Sequence, residues 1–176
     1  MQYSLSTMLP IALASLFSLT QALPSGIASR SSVTQQLADA QNDWRADTSM
    51  VSQFLSAVPT LQGSKLEAAA QVALDAENDE LLHKKVLDQN FSSDPRIVQA
   101  NDVLVNQRTF QSVVDALANF AQNGASMTPG EISTLLQQTN SVRCSQVLPA
   151  IDTYFSVTGE KLNNGGSLLA TRPTNC

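Results

Sequence analysis

Histidine occurs once in this chain and cysteine twice. That scarcity excludes much of the chemistry open to a small protein. A ferritin-like di-iron bundle needs two Glu-x-x-His elements on different helices, and a single histidine cannot supply both. There is no Cys-x-x-Cys, so metal and redox readings of the cysteines are weak. Basic residues are also few, 10 against 15 acidic, which leaves a net charge of −5. Without a basic patch there is nothing to release counterions from nucleic acid, and anionic membrane surfaces are disfavoured for the same reason. No Gly-rich phosphate loop is present. Asn164-Gly165-Gly166 is a turn signal that lacks the following helix and lysine. No catalytic motif or cofactor-binding motif is found, and the expectation is a protein that is not an enzyme. Alternating strand patterns are missing too, which leaves helices as the building material.

What is present begins with an apolar run, MLPIALASLFSL, followed by Thr20-Gln21-Ala22. The run is too short to cross a membrane, no stop-transfer segment follows, and small residues stand where signal peptidase requires them. A signal peptide over 1–22 is expected, followed by a flexible segment at 23–31. The remaining chain of about 150 residues makes one domain. In an extracellular setting Cys144 and Cys176 read as one disulfide. It would pin the C-terminal tail to the last helix and stabilise by roughly 3–4 kcal/mol in the chain-entropy model. Asn90-Phe91-Ser92 permits N-glycosylation at Asn90, in an expected loop. ATRPTNC carries no apolar tail of the kind a lipid anchor needs.

Four long helical segments follow from their caps. Ser32 with Gln35, and Ser64 with Glu67, read as capping boxes for the first two. Asp94-Pro95 opens the third, which Asn123-Gly124 closes. Thr128-Pro129-Gly130-Glu131 opens the fourth, where Pro149 is expected to kink or split the rod. Each segment runs about 25–29 residues, near 40 Å, and the connections are short. The spacing predicts an all-α, up-down-up-down four-helix bundle over 32–158. An irregular tail over 159–176 would be held by the disulfide.

ENDELLHKK, residues 77–85, interrupts the apolar face of the second helix. Glu77, Glu80 and Lys84 fall on the same side as Leu66, Ala73 and Leu81. Asp43 and Asp47 of the first helix would lie opposite. The expectation is an i,i+4 ion pair between Glu80 and Lys84 on a solvated face, worth a few tenths of a kcal/mol, with His83 at a half-exposed boundary. The alternative is a metal site built from Glu77, Glu80 and His83, mononuclear or shared across a dimer.

The blocks Trp44-Arg45-Ala46-Asp47-Thr48, Val51-Ser52-Gln53-Phe54-Leu55, AENDELLHKKVLD, VRCSQVLPAIDTYF and TRPTNC resemble the small secreted helical proteins of filamentous fungi. A looser similarity links the chain to the fungal hydrophobic-surface-binding and cell-wall galactomannoprotein group. That resemblance implies a secreted protein that adsorbs to hydrophobic surfaces or encloses a fatty acid between its helices; the chain departs from the group in its Cys144/Cys176 pair and in lacking a Ser/Thr-rich, GPI-signalled tail, so any association with the cell wall is expected to be non-covalent. It brings no catalytic residue with it.

The expected function is therefore non-enzymatic binding of a lipid-like ligand or a hydrophobic surface. Trp44, Val51, Ala73, Phe110, Val114 and Leu136 are the residues expected to line a space between helices. Metal binding at Glu77, Glu80 and His83 is one alternative. A secreted effector or antigen acting through protein contacts is the other.

Overall fold

The structure, a computed structural model, describes residues 32–164 and 168–176. The expected signal peptide, the segment at 23–31 and the Gly165-Gly166 turn lie outside the described residues. Those described form helices α1 (Val33–Ala57), α2 (Gly63–Phe91), α3 (Pro95–Asn101), α4 (Thr109–Asn123), α5 (Pro129–Val142) and α6 (Leu148–Leu162), with no strand among them. A π-helical segment, Asp102–Asn106, extends α3 towards α4, and a second, Arg143–Val147, joins α5 to α6. The six helices thus make four rods. α1 packs on α2, α2 on α4, the third rod on the fourth, and α6 closes the ring against α1. This is the expected up-down-up-down bundle. Its last rod continues past Thr158 to Leu162.

The caps carry much of this order. Asp94 accepts from the Arg96 backbone N–H at 2.9 Å, and Pro95 takes the first helical position. Thr128 and Glu131 form a complete capping box. The first box is only half made. Ser32 accepts from the Gln35 N–H, but the Gln35 side chain donates to Asp39 instead of reaching back. The second box does not form. α2 begins at Gly63 without a side-chain cap, and Glu67 accepts from the Ala125 N–H at 3.0 Å, bridging to the turn after α4. Gly124 closes α4, as expected, and does so in right-handed conformation. Its value is closeness, since a Cβ there would meet Leu66 Cγ at 3.1 Å.

The third rod is broken, contrary to the single helix expected. Arg108 adopts φ 58°, ψ 25°, and Thr109 Oγ1 donates to the Val103 carbonyl that the break frees. The apolar stripe shows the cause, because Leu104 and Phe110 are six residues apart where an unbroken helix spaces its face by seven. In the fourth rod the helix is divided just before Pro149, which stands in the first turn of α6. The π turn precedes it, and the Leu148 N–H bonds five residues back to Arg143 O. A wide turn relieves the clash a proline makes with the preceding turn.

The core runs the length of the bundle. Trp44 packs against Tyr154 (5.2 Å between ring centroids) and edge-on to Phe155 (5.6 Å), while Phe54 meets Phe120 edge-on at 5.8 Å. Residues 168–176 return along α1. Ser52 Oγ donates to Thr171 O, Thr174 N–H to Ser56 Oγ, and Asn175 Nδ2 to Leu55 O. Asp152 pairs with Arg172 and accepts from the Ala170 N–H. The Cys144–Cys176 disulfide closes the tail over a separation of 32 residues. Cys176→Ser is therefore expected to cost about 2–4 kcal/mol, read as a shift in the urea midpoint that reductant reproduces in the parent chain.

Candidate functional site

The polar interruption of α2 is not a solvated face. Glu77, Glu80 and Arg143 are each 0% exposed, and Arg143 lies between the two carboxylates. Its guanidinium donates to Glu77 Oε2 at 2.7 Å and, at 3.5 Å, to Glu80 Oε1 and the Thr48 carbonyl. Trp44 Nε1 donates to Glu80 Oε2 at 2.7 Å. The expected Glu80–Lys84 pair is not made. Lys84, itself buried, pairs with Asp88 at 2.6 Å, donates to Asn101 and sits 5.4 Å from the Tyr154 ring centroid. Tyr154 completes the group by donating to Asp88 Oδ1. Leu81, expected in the core, is instead 44% exposed.

The reason is Arg143. It falls seven residues after Leu136 and four before Val147, on the apolar stripe of the fourth rod. The π segment that begins there is packed beside α4 and the third rod's own π segment. An arginine on one stripe facing two glutamates on another was a readable signal, and sequence reasoning missed it by pairing charges only within a helix.

The cluster's electrostatics follow from its burial. Loss of water raises the Glu77 carboxyl above the ordinary range, and Arg143 opposes that rise. Glu80 is held well above the range, first by burial and next by the charge of Glu77. Glu77 Oε1 and Arg143 Nε have no hydrogen-bond partner. Two carboxylates and one guanidinium would carry a net negative charge in a dry interior, and a proton on the carboxylate side removes it.

His83 turns away from this centre. Its Nε2 lies 3.2 Å from Asp47 Oδ2 at the bundle's edge, where the imidazole side chain is 22% exposed. Burial raises the Asp47 carboxyl, with Asp79 and Asp43 acting in the same direction and His83 against it. Convergence of His83 on Asp47 is as the metal reading requires. Glu77 and Glu80 are nonetheless engaged by Arg143, and no group of three or more His, Cys, Asp or Glu side chains among the described residues is arranged to hold a metal ion. Asn90, the glycosylation candidate, is exposed on the last turn of α2, not in a loop, and its Nδ2 donates to Val86 O.

The residues expected to line an inter-helix space are mostly sealed. Trp44, Val51, Ala73 and Phe110 are buried in the continuous core, and Val114 is half-buried against it. Leu136 differs. It forms part of a surface groove of about 620 Å³ framed by the outer face of α5, Pro59 and both half-cystines. A narrower extension of about 180 Å³ shares Pro59, Ser133 and Leu136 and runs on to Leu61 and Ile132. A separate groove of about 710 Å³ between the ends of α4 and α5 has a polar lining that includes Asn119, Asn123 and Glu131. Comparison with family models, with curated proteins and with solved structures finds no match.

Two outcomes test the cluster. Arg143→Met leaves two buried carboxylates unpaired and is expected to cost about 3–5 kcal/mol, with Glu77→Leu and Glu80→Gln added together restoring most of it, measured by urea unfolding. The second concerns pH. A carboxyl whose folded-state value is raised binds more protons folded than unfolded, so its contribution is complete below the unfolded value of 4.5 and is lost as pH rises towards the folded value. Stability of the parent chain should therefore fall on raising the pH above that point, by at most about 1.4 kcal/mol per pH unit for the one proton. Glu80→Gln, which keeps an acceptor for Trp44, should flatten that slope.

Proposed function

We propose that this chain is a secreted, non-enzymatic protein that binds an apolar ligand at its surface, in the groove beside the disulfide. One observation carries the proposal: the groove joins an apolar floor, Pro59, Leu136 and Ile132, to a rim of uncharged polar side chains. Its volume lies within the range of about 300–1,000 Å³ that small-molecule sites occupy. Enclosure between the helices is not favoured, because aromatic rings fill the middle of the bundle. Catalysis is not favoured at the ion cluster, because fully buried groups offer a substrate no access. The disulfide is compatible with the extracellular setting of this reading; kinship to secreted fungal helical proteins and a place at the cell wall belong to the same proposal.

A second reading is adsorption to a hydrophobic surface. Val72 and Leu82 on α2 favour it, the latter 62% exposed. Titration with Nile red, an uncharged apolar dye, separates the two. Saturable binding that Ser133→Glu weakens by about tenfold is expected, since Ser133 is exposed and shared by both parts of the groove. Binding that ignores this change but is lost on Leu82→Lys would move the function to the outer face of α2.

A further inference from the structure

We infer that the groove beside the disulfide selects an uncharged lipid with a hydroxyl head, a fatty alcohol or sterol in kind, over the corresponding fatty acid. The inference rests on that groove being the ligand seat proposed above.

Two observations carry it. The first is charge. No side chain lining either part of the groove is charged. The rim consists of side-chain amides and hydroxyls, among them Gln137, Ser141 and Asn175. A carboxylate lying on the Pro59 and Leu136 floor would lose hydration and gain no cation in exchange. The cation closest in sequence, Arg143, is turned into the core and held by Glu77 and Glu80. The net charge of −5 opposes an anion at longer range.

The second observation is an unmet acceptor. Asn140 stands in the groove wall, 7% exposed. Its Nδ2 donates to Asn175 Oδ1 at 2.9 Å, but its own Oδ1, buried, accepts from no donor. A buried acceptor left without a donor is costly. The oxygen has no exposed surface as it stands, and a hydroxyl seated against this wall supplies a donor on a rotation of the Asn140 amide towards the groove. An ionised carboxylate only accepts and cannot, and an alkyl chain with no head leaves the oxygen as it was.

The test sets dodecanol against laurate, which share a chain and differ in the head. Each displaces Nile red from the full chain, at a mildly alkaline pH that keeps laurate ionised. Dodecanol should act at a concentration at least about tenfold lower than laurate. Gln137→Lys, on the exposed rim, should bring laurate to near parity, and Asn140→Leu should reduce the advantage of the alcohol. Equal displacement by both in the parent chain, with Ser133→Glu abolishing both, overturns the headgroup selection while the seat stands. Displacement by neither, or displacement indifferent to Ser133→Glu, overturns the seat and the selection together.

Discussion

Arg143 buried against Glu77 and Glu80 is the constraint around which the rest of the bundle is arranged. Three ionisable groups without solvent contact can persist only if each finds a partner in place. That requirement fixes how far α2 may slide and turn against the fourth rod, because a shift of one residue would strand an ion in the core. Trp44 ties the same centre to α1 through its indole N–H, and Thr48 adds a carbonyl from that helix. Three of the four rods therefore meet at one polar layer. Apolar stripes alone would tolerate several registers, whereas this layer tolerates one.

The π turn is what makes the layer possible. It lets Arg143 point inward while the neighbouring Cys144 reaches the tail, and it ends just before Pro149. The tail in turn is more than a tethered end. Backbone and side-chain hydrogen bonds to Ser52, Leu55, Ser56 and Asp152 seat it along α1 and α6 before the disulfide is counted. The half-cystines and Asn175 then become one wall of the proposed ligand groove. The charged layer and the wall of the proposed groove thus share the Arg143–Val147 turn.

Much of this was legible beforehand, and the exceptions have physical causes. Proline and capping residues mark where the rods begin, since backbone N–H groups at a helix start must be satisfied locally. The disulfide followed from two cysteines read together in an expected extracellular setting. What escaped were events set by contacts distant in sequence. Glu67 abandons its cap for Ala125, a partner brought near only by folding. Arg108 breaks the third rod where a one-residue shift in the apolar phase was visible but weak. Glu80 looked paired with Lys84 because helical neighbours are the only partners a linear reading supplies. The ligand-lining positions failed for a related reason: periodicity shows which side of a helix faces inward, not whether aromatic rings will fill the space there.

The junction of Cys144 with Arg143 has a mechanical side. Tension applied at the chain's C-terminal end does not have to peel the tail's hydrogen bonds in sequence, because the covalent S–S link carries the load past them. It enters the fold at the π turn, one residue from Arg143, the only arginine buried among the described residues. The bundle would thus be pulled first at its charged layer, where a small displacement costs the most, and the apolar contacts towards either end would be loaded later.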